Sequence, residues 1–516
     1  MTAGTQPELA SAHERVALVA DDGSFEQWDA DVVSDDPLSF SDTKPYRERL
    51  AAAQEATGLG EAVLTGRALL DGRPFAVIAG EFGFLGGSIG VATAERIARA
   101  FERAVEERLP VVALTASGGS RMQEGTLAVM GMAKLAAAAG RLRAAGLPYV
   151  VCLTHPTTGG VLASWGSLGT VTFALPGALV GFAGPRVVEL LTGRPLSPRV
   201  QRSETLLAQG LIDGVLSPDS VRAAVVRVMA VTARCTVPAP AANEREGAGA
   251  SAPVTSVERR DAWVSLQHVR DRRRPGAGAV LDTLAEDITV LRGARDGHPD
   301  DPVCFAALAR LAGFPAVVVA QRRRGDGTPA VMNAAGYRKA RRAMALAAEL
   351  HLPLVTIVDT PGAELSEDAE RGGLAGQIAG CLADMAALPV PTLALLLGEG
   401  GSGGALALLA ADRVLAAEHA SLGVIAPEGA SAILYRDTDH AAELAATQGG
   451  ASWQLQAEGI ADALIPEPRP AHEEPDAFVA RVRAALSTAL ASLTAADPSA
   501  RLAERHRRWR NIGRSA

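Results

Sequence analysis

The segment LPVVALTASGGSRMQEG (residues 109–125) resembles LPLVTIVDTPGAELSED (residues 352–368) in its apolar run and in the glycine turn that follows. Two further pairs match in the same order: LPYVVCLTHPTTGGVLAS (147–164) with VPTLALLLGEGGSGGALAL (390–408), and ALVGFAGP (178–185) with SLGVIAPE (421–428). The separation between partners is the same to within one residue in all three pairs. Chance resemblance rarely keeps its register over three segments, so the sequence predicts a tandem duplication.

Around these segments, short apolar runs alternate with alanine-rich helical stretches, which is typical of an α/β protein. FAVIAGEF (75–82) is strand-like, and VATAERIARAFERAVEER (91–108) is helix-like. One stretch breaks this pattern: residues 236–261 are rich in Pro, Ala, Gly and Glu, with little to bury, which predicts a flexible linker. We therefore expect a first domain over 1–235 and a second over 262–516.

Composition limits the class of protein. The chain has 516 residues, is 48% hydrophobic and 21% charged, and carries a net charge of −8, which predicts a soluble protein with no general attraction to nucleic acid. No apolar run reaches the ~18 residues of a membrane span. The first twenty residues lack a basic segment followed by an apolar one, so we expect no secretory signal and a cytoplasmic location.

The cysteines and lysines exclude two kinds of site. Cysteines occur singly, with no C-x-x-C spacing, which argues against a zinc ribbon or a disulfide framework and predicts no bound metal. Only Lys44, Lys134 and Lys339 are present, and none lies in the sequence context of a biotin attachment site. Any biotin must therefore arrive on a partner.

Four glycine turns are the strongest chemical signal. They are Ser117-Gly118-Gly119, Thr158-Gly159-Gly160, Pro361-Gly362-Ala363 and Gly403-Gly404-Ala405. A buried strand that runs into such a turn and then a helix exposes backbone N–H groups, and glycine allows a ligand to approach them closely. One such turn alone is more often an ordinary tight turn, but four at matched positions favour sites that stabilise an oxyanion or bind phosphate.

A serine nucleophile is a rival interpretation. Gly400–Gly404 and Gly86–Gly90 both fit G-x-S-x-G, which would make Ser402 or Ser88 catalytic. Downstream histidines are available, at His419 and His440. No motif marks either histidine, and the pattern arises easily in glycine-dense sequence, so we rank this interpretation lower.

A dinucleotide site is a second rival. Gly398, Gly400 and Gly403 fit G-x-G-x-x-G. That fingerprint belongs to the first βαβ unit of its fold, whereas this match lies late in the chain. We rank it lowest.

Taken together, these segments resemble a known family. Residues 22–229 are similar to the carboxyltransferase β subunit of bacterial acetyl-CoA carboxylase, through DDPLSFSDTKPYRERL, EFGFLGGSIG and ASGGSRMQEG among others. Residues 262–468 are similar to the α subunit, through GYRKARR, DTPGAE, GEGGSGGALAL and VIAPEGASAILYR. Three features depart from the family. The four-cysteine zinc ribbon is absent, and the N-terminal helical region of the α subunit is short. Two short runs also differ: Glu364-Leu365-Ser366 stands in place of Tyr-Pro-Gly, and Gln321–Asp326 replaces a Q-K-G-R-D run.

The resemblance implies an α/β fold of two tandem crotonase-like (ββα spiral) domains. It implies carboxyl transfer from N-carboxybiotin to acetyl-CoA or another short acyl-CoA, giving malonyl-CoA in the first case, with the biotin enolate removing the α-proton. The expected partners are a biotin carboxyl carrier protein and a biotin carboxylase, with biotin on the carrier. In this family the substrates enter between halves of two protomers, so we expect a homodimer or a larger homo-oligomer.

The resemblance also assigns residues. Gly159 and Gly160 would hold the thioester oxygen, assisted by the turn at Gly118, Gly119 and Arg121. Gly404 and Ala405 would hold the ureido oxygen of biotin, beside Gly362, Ala363 and Gly403. The arginines that are candidates for CoA phosphates or the carrier, or equally for a solvated helix face, are Arg272, Arg274 and Arg322–Arg324.

Sequence leaves two further alternatives open. A malonate decarboxylase of the same superfamily also pairs two such halves and would use the same oxyanion sites in reverse. A non-catalytic scaffold is disfavoured by the intact glycine turns. The choice between acetyl-CoA and propionyl-CoA also stays open.

Overall fold

The computed structural model describes residues 10–233 and 259–512. Its described backbone forms two compact units: one holds residues 10–232 together with Arg295–Pro299, and the other holds Ala233 and residues 259–294 and 300–512. The predicted linker 236–261 lies outside the described residues, except for its last three positions. No described helix is long and apolar enough to cross a membrane.

The first unit is built on one mixed sheet. Its strands are β1 (Glu26–Trp28), β2 (Val63–Leu70), β3 (Arg73–Gly80), β4 (Val111–Ser117), β5 (Tyr149–Thr158), β6 (Val171–Ala174), β7 (Val180–Gly181) and β8 (Gly214–Val215). They lie in the order β1-β2-β3-β4-β5-β6-β8, and β7 pairs with the end of β5. β1 to β3 are antiparallel and the following pairs are parallel. β4 is buried along its whole length, as expected for a parallel strand covered on both faces.

Helices cover this sheet. They are α1 (Ala12–Ala17), α2 (Tyr46–Thr57), α3 (Val91–Glu106), α4 (Gly125–Ala144), α5 (Pro185–Thr192), α6 (Ser203–Ala208) and α7 (Pro218–Thr232). The helix predicted from residue 91 is confirmed as α3. Its buried residues Ile97, Phe101 and Ala104 recur at helical spacing and join Leu135 and Leu142 of α4 in the core.

The second unit repeats the arrangement. Its strands are β9 (Ala285–Val290), β10 (Cys304–Leu311), β11 (Phe314–Gln321), β12 (Leu354–Thr360), β13 (Thr392–Gly401), β14 (Arg413–Ala417), β15 (Ser421–Gly423) and β16 (Ala463–Ile465). The order β9-β10-β11-β12-β13-β14-β16, with β15 beside the end of β13, matches the first sheet strand for strand. Even the register shift recurs, between Thr115 and Ser117 in one unit and between Val358 and Thr360 in the other. The predicted duplication is therefore confirmed.

The helices of the second unit are α8 (Ala262–Arg270), α9 (Ala277–Leu284), α10 (Ala334–Leu350), α11 (Glu367–Arg371), α12 (Leu374–Ala387), α13 (Ser402–Leu406), α14 (Pro427–Leu434), α15 (Ala441–Thr447), α16 (Ser452–Ala457), α17 (Pro475–Ala495) and α18 (Pro498–Asn511). α10 packs on α12 and on the β10–β11 hairpin. Buried Tyr337, Ala340, Met344 and Ala347 form its core face.

One local prediction was wrong. We expected a helix directly after Gly160, but the chain makes successive turns there and then a short 3-10 helix at Trp165–Ser167. The Ser164 hydroxyl donates to the Gly160 carbonyl, which is the oxygen that a helix would offer to the Ser164 N–H. That N–H bonds to Val161 O instead. The side chain thus competes with the helical hydrogen bond.

Candidate functional site

The two glycine turns of the first unit lie side by side. β4 and β5 are parallel neighbours, with Ser117 opposite Thr157, so the turns that follow them meet at one edge of the sheet. A Cβ built on Gly159 would lie 2.8 Å from the Gly119 Cα. Gly159 also has a φ of 65°, a conformation that side chains rarely adopt. Glycine is required here by both close approach and backbone conformation.

In these turns some backbone N–H groups are already hydrogen-bonded within the protein, and one is not. The Gly118 N–H donates to Gly86 O at 2.8 Å, the Gly119 N–H to Ser117 Oγ at 3.0 Å, and the Gly159 N–H to Gly181 O at 3.2 Å. The Gly160 N–H has no acceptor among the described residues. Because an unmet backbone donor is costly unless a ligand or water takes it, Gly160 is the amide best placed to bind an oxyanion.

The second unit brings its turns together in the same way. A Cβ on Gly404 would lie 2.7 Å from Ala363 N and 2.8 Å from the Gly362 carbonyl carbon. The Gly362 N–H donates to Thr360 Oγ1 at 3.3 Å, whereas the Gly404 N–H has no acceptor within residues 10–233 and 259–512. α13 has only five residues, so its dipole is small and adds little to the positive potential of the local N–H groups.

Two buried side chains hold the Gly404 peptide in place. Tyr337 Oη donates to Gly404 O at 3.0 Å, and Gln321 Nε2 donates to the same oxygen at 3.2 Å. Both side chains belong to buried residues. Burial raises the pKa of Tyr337 well above its ordinary value, so its hydroxyl stays protonated and can donate at neutral pH. The carbonyl of this peptide is thus fixed, and with it the direction of the following N–H, that of Ala405.

The matched positions also differ between the units. Ser402 follows β13 as Gly159 follows β5, and its φ of 54° is close to the 65° of Gly159. Holding serine in this conformation costs roughly 1–2 kcal/mol. Ser402 is exposed and Gly403 is partly buried, whereas Gly404 and Ala405 are buried.

Comparison with known proteins decides the family. The family model described as acetyl co-enzyme A carboxylase carboxyltransferase-like matches residues 251–513. The "Probable biotin-dependent acyl-coenzyme A carboxylase beta3 subunit" of Mycobacterium tuberculosis is 48% identical over 495 residues, covering 96% of this chain and 97% of its own. The "Acetyl-coenzyme A carboxylase carboxyl transferase subunits beta/alpha" of Salinispora tropica is 41% identical over 513 residues, covering 97% and 90%. The chain belongs to the carboxyltransferase family of biotin-dependent acyl-CoA carboxylases.

Solved structures confirm the predicted fold of this carboxyltransferase, an α/β protein with two crotonase-like domains. Transcarboxylase 12S superimposes with a TM-score of 0.73 over 94% of this chain and 90% of its own, at 21% identity. A single-chain, multi-domain long-chain acyl-CoA carboxylase gives a TM-score of 0.70 over 93% of this chain and 45% of its own, at 20% identity. At such identities the likeness establishes the fold alone.

Arg121, expected to assist the substrate, is enclosed in the carboxyltransferase structure. Its side chain is fully buried and pairs with Glu61 at 2.5 Å and with Glu124 at 3.2 Å. Burial by itself would lower the pKa of Arg121, but the charge of Glu61 outweighs it and raises the pKa, so the guanidinium stays charged. A substrate has no access to this side chain.

The other predicted arginines divide into two groups. Arg274 is fully buried against Glu467 at 2.6 Å, and Arg323 pairs with buried Asp359 at 2.6 Å. These two charges are already compensated inside the unit. The exposed members are Arg272, Arg322 and Arg324.

The rival sites receive no support from the structure. The Ser402 hydroxyl has no histidine partner among the described residues, because His419 bonds to Ser265 at 3.0 Å and His440 to Asp437 at 3.1 Å. Gly398 and Gly400 lie inside β13 rather than in a loop before a helix, which excludes the dinucleotide fingerprint. No group of three or more metal-ligating side chains occurs in the described part of the chain. The absence of structural zinc stays a prediction for metal analysis.

Three residues that sequence reasoning missed lie next to the turns: Gln321, Tyr337 and Glu61. Tyr337 lies in the GYRKARR segment that indicated the family, and Gln321 precedes the arginine run. Both residues were therefore in segments already singled out, but no function was assigned to them. Glu61 carried a weaker signal, a lone carboxylate just before the apolar strand β2.

Proposed function

We propose that this carboxyltransferase moves a carboxyl group from N-carboxybiotin, held on a carrier protein, to acetyl-CoA, giving malonyl-CoA. The main support is that the N–H groups of Gly160 and Gly404 have no hydrogen-bond acceptor among the described residues. Both lie in matched turns of the duplicated units. The Salinispora relative, whose name specifies acetyl-CoA, supports acetyl-CoA over a larger acyl group.

The first unit would serve the thioester. Transfer develops negative charge on the thioester oxygen as the α-carbon gives up its proton. The Gly160 N–H meets that charge, and Gly159, bonded to Gly181, keeps the turn in place. A preorganised donor of this kind contributes about 3–4 kcal/mol to the transition state. No side-chain base is required of this unit, because the proton passes to the second substrate.

The second unit would serve biotin. When bound, N-carboxybiotin would supply CO₂, and negative charge would develop on its ureido oxygen. The amides of Gly403, Gly404 and Ala405 suit that oxygen, and Tyr337 and Gln321 fix the peptide that follows Gly404. The two turns of this unit lie close together, since a Cβ at Gly404 would collide with the Gly362–Ala363 backbone.

The exposed arginines would meet anionic groups. Arg322 directly follows Gln321, which bonds to Gly404 O, so its backbone lies near the proposed biotin site. Arg272 lies on the adjoining loop, since a Cβ on Gly327 would touch the Arg272 carbonyl at 2.1 Å. We assign Arg272 and Arg322 to CoA phosphates or to the carrier. Arg274 is left out because Glu467 already neutralises it.

A homodimer or a larger homo-oligomer completes the proposal. α5 and α14 occupy matched positions in the two units, and both expose large apolar side chains: Leu190 at 84%, Leu191 at 78%, Ile433 at 70% and Leu434 at 64%. Exposed apolar clusters of this kind mark protein interfaces. We propose that the α5 face of one copy packs against the α14 face of another.

Two proline variants test the function. Gly160→Pro and Gly404→Pro each remove one proposed donor and also crowd the turn, so the fold of each variant is checked first by circular dichroism. The assay is biotin-dependent decarboxylation of malonyl-CoA. Each variant should lose about 10²–10³-fold in rate. Gly160→Pro should weaken saturation by malonyl-CoA and leave that by biotin unchanged, and Gly404→Pro should do the reverse.

The matched control is Ser499→Pro, which removes a first-turn N–H of α18, where proline is tolerated. It should keep the wild-type rate. If both glycine variants fold and keep that rate too, the amides are ordinary turns and the proposal fails. Decarboxylation that needs no biotin would favour the malonate decarboxylase alternative.

A further inference from the structure

The buried charge cluster around Arg121 lies directly behind the acyl half of the site. We define the Arg121 cluster as Arg121, Glu61, Glu124, Tyr46 and Ser34. Arg121 Nη1 donates to Ser34 Oγ at 2.6 Å, and Nη2 donates to Glu61 Oε1 at 2.5 Å. Tyr46 Oη donates to Glu124 Oε1 at 2.5 Å. The side chains of Arg121, Glu61 and Glu124 are 0–1% exposed, so solvent does not screen these pairs.

Backbone hydrogen bonds connect the cluster to the glycine turn. The Arg121 N–H donates to Ile89 O at 2.9 Å, and the Ile89 N–H donates to Gly119 O at 2.8 Å. Arg121 Nη2 also donates to Ser88 O at 2.7 Å. Gly119 in turn lies against Gly159: a Cβ built on Gly159 would lie 2.8 Å from the Gly119 Cα. These contacts connect Arg121, through Ile89 and Gly119, to the turn that presents the Gly160 N–H.

Stability alone does not account for this cluster. A buried ion pair is often no more stabilising than apolar residues of the same volume, whereas in some proteins such a pair specifies one arrangement of its partners. The duplication supplies an internal comparison. The position matched to Arg121 is Glu364, which is partly exposed and bonds to Ser366. The second unit thus has no buried guanidinium at this place, and the cluster is a property of the first.

We propose that the Arg121 cluster is a positioning device that sets the Gly160 amide for the acyl-CoA thioester, an inference that rests on the proposed function. An error of about 1 Å in such a donor costs about 10²-fold in rate. Because Glu61 and Glu124 hold Arg121 on two sides, its guanidinium has one orientation. The burial of Glu61 opposes its ionisation, yet Arg121 keeps the pKa of Glu61 below its ordinary value, so the pair stays ionised at neutral pH.

The first test is Arg121→Met, with Arg505→Met as the matched control. Arg505 is equally buried and pairs with Asp412, but that pair lies at the start of β14, at the opposite edge of its sheet from the glycine turns. Both variants should lower the midpoint of thermal unfolding. Only Arg121→Met should lower kcat/KM for malonyl-CoA, by about 10²-fold, with the KM for biotin unchanged. Equal kinetic effects of the two variants would overturn the proposal.

The second test keeps every charge and covers the case in which Arg121→Met does not fold. A Cβ at Gly90 would lie 2.6 Å from Glu124 Oε1 and 2.7 Å from Arg121 Nη1, so Gly90→Ala must displace the cluster. Gly140→Ala is the control, because its Cβ meets nothing within 4 Å. Gly90→Ala should lower kcat/KM for malonyl-CoA about 10-fold, given the ~10²-fold cost of a full 1 Å error, and Gly140→Ala should not.

The two proposals fail in distinguishable ways. Wild-type kinetics in Gly90→Ala, together with lost activity in Gly160→Pro, would remove the positioning role and keep the proposed function. Wild-type kinetics in both Gly160→Pro and Gly404→Pro would remove the function itself. A Gly90→Ala variant that alters biotin saturation as much as malonyl-CoA saturation would also contradict the proposal, since the effect would then be general.

Discussion

Three single residues, Cys152, Cys304 and Cys381, are buried thiols. Burial raises the pKa of Cys152 to about 12 and that of Cys381 to about 12, and burial likewise raises the pKa of Cys304. At pH 8 a thiol of pKa 12 is ionised to about one part in 10⁴, and only the thiolate is nucleophilic. These cysteines are therefore structural.

We expect iodoacetamide at pH 8 to leave these three cysteines unmodified in the folded protein. Peptide mass spectrometry after a timed reaction measures the modified fraction at each site. In 8 M urea all three should react, because unfolding removes the burial that raises their pKa values. Rapid labelling of Cys152 in the folded state would contradict the buried environment described for β5.

At the scale of elements, Arg295–Pro299 belongs to the first unit although it follows the predicted linker. Arg295 Nη2 pairs with Asp213 Oδ2 at 2.8 Å, and Nη1 donates to Gly169 O at 2.7 Å. The Asp213 side chain is fully buried, so removal of Arg295 leaves a buried carboxylate without this cation.

Cutting the chain between the two units should therefore abolish activity and lower the stability of the first unit. Fragments ending near residue 240 and starting near residue 256 should each be inactive in malonyl-CoA decarboxylation, because each carries one donor set. The first fragment should also melt below the intact chain, and Arg295→Met in the intact chain should reproduce part of that loss. Mixed fragments should regain activity on reassembly. Full activity in either fragment alone would refute the division of donors.

Sequence allowed the elements to be predicted better than the contacts between them. Self-similarity was enough to predict the duplication. Apolar runs were enough to predict the strands β4 and β12, because a buried parallel strand is apolar along its whole length. The bond from Tyr337 to Gly404 and the pair of Arg121 with Glu61 join positions 67 and 60 residues apart. No local pattern encodes such pairs. The helix expected after Gly160 failed because the Ser164 side chain took the hydrogen bond that a helix needs.

At the scale of the whole molecule, apolar side chains on α5 and α14 should decide the assembly. Leu190→Asp or Ile433→Asp places a charge on the proposed interface, which costs several kcal/mol when buried. We expect the wild-type protein to be a dimer or larger by light scattering, and each variant to shift toward monomer and lose activity. Glu189→Asp, a change on the same helix that keeps the charge, serves as the control. A wild-type monomer with full activity would contradict the proposed interface.

The place of Arg295 in the first unit also has a consequence for synthesis on the ribosome. Thr232 and Arg295 are about 60 residues apart, and ribosomes add about 5–20 residues per second, so roughly 3–12 s separate their translation. During that interval the nascent first unit lacks Arg295 and its ion pair with Asp213. Chaperones and proteases in the cell therefore meet it in a less stable form, and its final contacts close only after synthesis of the second unit has begun.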